Sequence, residues 1–250
     1  VDGWQDGRGG GEHLVDALTG LATRSALVVT VERLWVAEAG RDVGVVFADI
    51  DRMKNINTLL GPGHGDAVLA AAADLFTATV EGALESDEPV VTARMSSDGF
   101  MAVRAGMDAA TAADIAGRVA AAFRAGPLLR TDPPETITAS MRREGAGSFR
   151  LYGPQPDGTY LAYATEGDDP ELGIRGGYPG GRPDEIPFST LGDRDVQASG
   201  LLVTVSVGAA AGVAGHGDWK SLIDAAEGAL IDAKSGGRGV ACSRSMEPGG

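Results

Sequence analysis

The chain has 250 residues, 43% of them hydrophobic, and its 21 Lys and Arg against 35 Asp and Glu give a net charge of −14. That length is ample for a core in one large domain or two small ones, and such acidity disfavours general binding to nucleic acid, whose phosphates it repels. No run approaches the roughly 18 apolar residues of a membrane-spanning helix, and a single cysteine, Cys242, excludes an internal disulfide and a Cys-based zinc site.

Residues 1–11 read as a flexible tail without a signal-peptide pattern, so a cytoplasmic protein with no membrane partner is expected. Glu12 to Leu18 is expected to form a short helix ending at Gly20. A helix over 23–39 is built on Leu27, Val31, Leu34 and Val36, with Gly40 as its stop. The nearly continuous apolar run from Val43 to Ile50 suits a strand covered on both faces. A short helix over 52–60 follows. A long amphipathic helix over 65–84 is marked by Val68, Ala72, Leu75, Thr79 and Ala83.

Residues 89–94 and 100–104 flank Met95-Ser-Ser-Asp-Gly99 as a β-hairpin. A helix over 108–125 carries Ile115, Val119 and Phe123 on one face. The region 127–200, rich in Gly and Pro, is too long for a structureless loop in a compact domain. It reads as a partly ordered insertion in which 149–152 and 159–164 pair. A strand over 201–207, a helix over 219–234 and an edge strand at Val240 and Ala241 complete the chain. This mixed order argues for α/β or α+β, with helices packed on one central sheet. One domain over 12–243, including the insertion, and a tail over 244–250 are expected.

Four groups of residues carry possible chemistry. Asp49-Ile50-Asp51 ends a buried strand, where ligands bind in open α/β sheets; alternation puts both carboxylates on one face. A solvated strand end with a helix cap is the plainer alternative. Asp98 lies in the hairpin turn, where Ser-Ser-Asp-Gly is also simply good turn chemistry. If the hairpin lies beside the first strand, Asp49 and Asp98 converge. Two carboxylates without His or Cys favour a hard ion such as Mg²⁺ or Mn²⁺, its shell completed by water and phosphates.

Lys54, Lys234 and Arg238 would neutralise a triphosphate beside such an ion; as lone residues they would be surface charges. Asn57 and Asp66 together match the guanine edge, although Asp66 also suits the N-terminus of the following helix. Only three lysines and two asparagines occur in the chain, so motifs that use them are less open to chance. The three histidines are far apart, and no Ser-His-Asp order, phosphate-binding loop or GxGxxG is present.

In combination these residues resemble a GGDEF domain, the diguanylate cyclase family. Asp16-Ala-Leu-Thr-Gly-Leu-Ala-Thr-Arg24 is similar to D-x-L-T-G-L-x-x-R, and Asp49-Ile-Asp-Arg-Met-Lys54 to D-I-D-x-F-K. Residues 57–66 resemble N-D-x-x-G-H-x-x-G-D, with Thr58 in place of the Asp and Pro62 in place of the His. Thr204-Val-Ser-Val-Gly-Ala209 resembles T-V-S-I-G-V, and Ala233-Lys-Ser-Gly-Gly-Arg238 resembles A-K-x-x-G-R. The blocks follow the family order over roughly 14–240, leaving only the insertion uncovered.

The resemblance implies a palm-like, mainly antiparallel sheet flanked by helices. It implies that Asp49, Asp98 and the carbonyl of Ile50 hold the metal, that Asn57 and Asp66 read guanine, and that Lys54, Lys234 and Arg238 hold phosphates. It also implies a homodimer in which two GTP-loaded domains face each other and each 3′-hydroxyl attacks the partner's α-phosphate.

The signature itself departs from the family, reading Ser96-Ser97-Asp98-Gly99-Phe100. Asp98 keeps the metal position, but the following Glu is Gly99. Ser96 and Ser97 replace glycines whose role is close backbone approach to the nucleotide. Asp87 and Val90 stand where an inhibitory product site would have R-x-x-D, so feedback inhibition there is not expected. Three readings follow: a divalent-dependent enzyme that turns over GTP, giving cyclic di-GMP or an altered product; a catalytically inactive GTP-binding regulatory module; and a scaffold that binds nothing.

Overall fold

Alternation along residues 42–50 places Val43, Val45 and Phe47 on one face of a strand and Val46, Ala48 and Ile50 on the other. Both sets are buried, as the continuous apolar run predicts. The computed structural model describes residues 14–60, 62–84, 88–125, 128–138, 148–152, 160–165, 185–187, 195–201 and 203–246. The expected N-terminal tail and Asp87 lie outside these residues.

The elements run β1 (Ala22–Thr23), α1 (Arg24–Ala37), β2 (Asp42–Ile50), α2 (Met53–Leu60), α3 (Pro62–Gly82), β3 (Val91–Arg94), β4 (Gly99–Ala105) and α4 (Ala109–Arg124). They continue with β5 (Leu129–Thr138), β6 (Ser148–Tyr152), β7 (Tyr160–Thr165), β8 (Glu185–Pro187), β9 (Asp195–Leu201), β10 (Val205–Val213), α5 (Trp219–Ser235) and β11 (Ala241–Ser245).

Six strands form the central sheet, in the order β1-β3-β4-β2-β10-β11. The inner pairs β3–β4, β4–β2 and β2–β10 are antiparallel, and only the outer pairs β1–β3 and β10–β11 are parallel. One face carries Val46, Ala48 and Ile50 against Val68, Phe76, Ile115, Val119 and Phe123 of α3 and α4. The opposite face carries Val43, Val45 and Phe47 against Leu27, Val31 and Trp35 of α1 and Leu222, Ala226 and Leu230 of α5. The mainly antiparallel, helix-flanked sheet expected from the resemblance is therefore present.

Close approach of α5 to the sheet depends on Gly208 of β10. A Cβ there would strike the Ala226 carbonyl oxygen and the Leu230 nitrogen, both helix backbone atoms. Neither can move without shifting α5, so Gly208→Ala is expected to cost at least about 2 kcal/mol. A denaturant titration checks this, and an unchanged midpoint would contradict it.

Several local expectations need correction. Residues 14–20 form a bridge and turn, not a helix: the Asp16 carboxylate accepts from Thr19 N at 2.9 Å and Thr19 Oγ1 at 2.8 Å. A side chain that satisfies nearby polar groups in this way competes with the helix ladder. In α1 the buried position is Trp35, and Val36 is 77% exposed. In α3 the buried stripe uses Phe76 and Val80 rather than Thr79, while Leu75 and Ala83 only flank the core.

The run 201–207 is not one strand. Leu201 ends β9, and Val205 begins β10 in a different sheet. The edge strand near 240 extends as β11 to Ser245. Between α4 and β10, a second sheet runs β5-β9-β7-β6-β8. The expected pairing of 149–152 with 159–164 is present over the described residues, in the register Phe149↔Ala164 to Tyr152↔Leu161; Thr159 lies outside them. Among the described residues no helix is long and apolar enough to cross a membrane.

Candidate nucleotide and metal site

The end of β2 and the β3–β4 turn meet because β2 and β4 are neighbours. Asp49 stands directly opposite Gly99, and Ile50 N donates to the Asp98 carbonyl at 3.0 Å. The expected convergence of Asp49 and Asp98 follows from this register. On the other side of β2, Asp49 faces Ser206 of β10. Lys234, in the last turn of α5, reaches back to Asp49, with Nζ 2.6 Å from Oδ1.

The Asp49 side chain is 13% exposed. Burial pushes its carboxyl up to about 6; the charges of Asp98 and Asp51 add to the rise, and Lys234 opposes it. An acid whose folded value exceeds its unfolded value, here 3.8, destabilises the fold when ionised. That cost is complete above about pH 6 and disappears below the unfolded value. Asp49→Asn should therefore raise the stability of the chelator-treated protein at about pH 8, by about 1–3 kcal/mol, since the value of about 6 already includes the Lys234 contact. The gain should shrink towards zero near pH 4. Thermal melts across this range check it, and a gain independent of pH would contradict it.

Asp51, two residues on, has a different environment. It is 4% exposed and accepts from Thr204 Oγ1 at 2.8 Å, Ser206 Oγ at 2.7 Å and the Gly239 amide at 2.9 Å. These three donors engage both of its oxygens, so it ties the end of β2 to Thr204, Ser206 and the turn at Gly239. It shares a face with Asp49, as alternation predicts.

A cleft of about 500 Å³ opens beside Asp98, lined among others by Met53, Lys54, Asn57, Arg94, Ser97 and Asp98. This volume is in the range of small-ligand sites. Asn57 projects from α2 across Gly65 of α3, where an added methyl would land on the Asn57 amide oxygen. Asp66 is the fifth residue of α3 and is exposed, so it does not cap that helix. Arg238 follows α5 in a left-handed conformation, φ 65°, between Gly237 and Gly239.

Ser97 Oγ donates to Asp98 Oδ1 at 2.7 Å, and Ser96 Oγ lies 3.5 Å from the same oxygen. The two serines therefore engage the Asp98 carboxylate. A Cβ at Gly99 would lie 2.6 Å from Ser96 Oγ and 2.9 Å from the Phe47 ring. The space beside Asp49 that a residue-99 side chain would enter is filled by a serine and a phenylalanine.

Sequence reasoning missed Arg94. Its Nη2 donates to the Ser97 carbonyl at 2.7 Å and its Nε to the Ser96 carbonyl at 3.2 Å, while Nη1 pairs with Asp16 at 3.2 Å. Arg94 thus pins the serine turn to the chain's first turn. The signal available was Asp16 at the head of the first motif, a carboxylate that needs a cation.

As a metal site, the donor set suits a hard ion. Asp49 and Asp98 stand at neighbouring backbone positions, and burial, with the charge of Asp98 added, raises the proton affinity of Asp49. Among the described residues no group of three His, Cys, Asp or Glu forms a closed cage. Asp49 and Asp98 would leave coordination positions for water and phosphate, as Mg²⁺ prefers.

The sequence model "Diguanylate cyclase, GGDEF domain" matches residues 13–141, just over half of the chain. The chain belongs to the GGDEF family. Solved GGDEF structures share its fold. The GGDEF domain of DgcB from Caulobacter crescentus, in complex with c-di-GMP, is 19% identical with a TM-score of 0.58, over 94% of this chain and 98% of that one. The diguanylate cyclase SiaD from Pseudomonas aeruginosa, in complex with its activator SiaC, is 18% identical with a TM-score of 0.55, over 93% of this chain and 62% of that one. The FimX GGDEF domain from Pseudomonas aeruginosa is 13% identical with a TM-score of 0.55, over 94% and 100%. No curated protein matches the chain in sequence. The matched residues include the β3–β4 turn, which reads Ser96-Ser97-Asp98-Gly99-Phe100.

Proposed function

We propose that this GGDEF domain binds GTP with Mg²⁺ or Mn²⁺ and turns it over by nucleotidyl transfer, to cyclic di-GMP or an altered product. What carries the reading is that Asp49, paired with Lys234, stands at the end of β2 beside the turn that bears Asp98, and that Asp98 lines a cleft with Lys54, Asn57 and Ser97. Asp49, Asp98 and the Ile50 carbonyl hold the metal, which supplies charge neutralisation at the phosphoryl group that is transferred.

Lys54, Lys234 and Arg238 bind the phosphates as cations that need no rearrangement during reaction. Asn57 and Asp66 read guanine, the carboxylate accepting N1–H and the 2-amino hydrogens. Ser96 and Ser97 line the turn beside the phosphates. Two such domains facing each other as a homodimer present each 3′-hydroxyl to the partner's α-phosphate. Residues 127–200 are an insertion in this single domain.

One observation favours a second reading. The place beside Asp49 where a Glu at position 99 would stand holds Ser96 and Phe47 instead, which suits a regulatory module that binds GTP without converting it. Incubation with GTP and Mg²⁺ or Mn²⁺, followed by mass spectrometry, separates the two. A guanine-containing product that disappears with chelator supports turnover. Tight binding without product supports the module, and no binding at all overturns both.

A further inference from the structure

We propose that Asp51 and Arg124 are positioning residues that clamp the Gly239 peptide, holding the turn after α5 so that Lys234 stays against Asp49 and Arg238 stays beside the phosphates. The role given to the two cations rests on the GTP reading above; the clamp itself does not.

The turn is disfavoured at its central residue, Arg238. Gly237, Arg238 and Gly239 have φ of 119°, 65° and 62°, three successive residues in the left-handed half of conformational space. Arg238, with a side chain, has no steric preference for that region. Such a conformation persists only where its surroundings over-determine it.

Gly239 is restrained on both sides of its Cα. Its N–H donates to Asp51 Oδ2 at 2.9 Å, and its carbonyl accepts from Arg124 Nη1. Asp51 is in turn fixed by Thr204 and Ser206 of the neighbouring chain segment, and its own N–H donates to the Thr204 carbonyl at 2.9 Å. Arg238 N donates to the Ala233 carbonyl at 3.2 Å, which ties the turn to the helix end that carries Lys234. One continuous set of bonds therefore links the last residue of α4, the end of β2, the start of β10 and the cation-bearing turn. Arg124 and Thr204 also bracket, in sequence, the segment that bears the second sheet.

A clamp on the phosphate cations predicts a selective defect. In Mg²⁺ buffer, calorimetry should show that Arg124→Met weakens GTP binding by about tenfold, the size expected for losing one charge-assisted hydrogen bond. Guanosine, which carries no phosphate, should bind unchanged, and Arg124→Lys should recover most of the loss. Equal losses for GTP and guanosine, or no loss for either, would overturn the positioning role.

Amide exchange at Gly239, measured without nucleotide, tests the clamp alone. It should be faster by about tenfold in Arg124→Met, and an unchanged rate would overturn the clamp whether or not GTP binds. A native chain that binds neither GTP nor guanosine would overturn the GTP reading instead.

Discussion

Replacing Asp49 with Ala is expected to abolish divalent-dependent GTP turnover, a fall of at least about a thousandfold. A bound divalent ion contributes several kcal/mol of charge stabilisation to phosphoryl transfer, and each 1.4 kcal/mol is about a factor of ten in rate. The same substitution should make the metal-free protein more stable above about pH 6, because the buried carboxylate it removes is costly when ionised. Loss of activity through misfolding would show the opposite pattern, with activity and melting temperature falling together. Joint measurement of turnover and thermal stability therefore separates a functional carboxylate from a structural one. Asp51→Ala is the contrasting case, since it leaves three donors, two of them in buried bonds, without that acceptor and should lower stability.

The second large effect concerns position 99. Residue 99 stands opposite Asp49 across the β2–β4 pair, so its side chain leaves the sheet on the same face as that carboxylate. A Glu there would add a second acid beside Asp49, but a Cβ meets Ser96 Oγ at 2.6 Å and the Phe47 ring at 2.9 Å. Gly99→Glu alone is therefore expected to destabilise the protein by about 1–3 kcal/mol and to bring no gain in turnover. Combining Gly99→Glu with Ser96→Gly and Ser97→Gly removes the hydroxyl obstruction and frees Asp98 from its two serine contacts. That triple variant should recover stability relative to the single variant and raise cyclic di-GMP synthesis by at least about tenfold, the lower range for a positioned acid or base. Product quantification by mass spectrometry checks this. No gain in a folded triple variant would mean that the Phe47 ring or the dimer geometry also blocks the reaction.

Much of this site was legible because it lies on elements whose periodicity is strong. The run Val43–Ile50 suits a strand buried on both faces, and the turn around Met95–Gly99 with apolar flanks reads as a hairpin. The Asp49–Asp98 meeting then needed one further step, that β2 and β4 are neighbours. Other features leave no local trace. An apolar run such as 201–207 does not say which sheet each half joins, and it divides between β9 and β10. Trp35 replaces Val36 as the buried residue because helix phase depends on what α1 packs against. Asp51 and Asp49 look alike in sequence, yet one is saturated by Thr204, Ser206 and Gly239 while the other faces Lys234. Arg124 acts through a carbonyl oxygen, which has no residue identity and so leaves no motif; of Arg94's partners, the Ser96 and Ser97 carbonyls and the Asp16 carboxylate, only the last left a trace in the sequence.

The most direct test is a crystal structure of the protein with Mn²⁺ and a slowly reacting GTP analogue, with the ion located by its anomalous scattering. The expected result is an anomalous peak between the Asp49 and Asp98 carboxylates, with the phosphates on Lys54, Lys234 and Arg238 and guanine at Asn57. A nucleotide bound elsewhere, or a peak away from both carboxylates, would contradict the assignment.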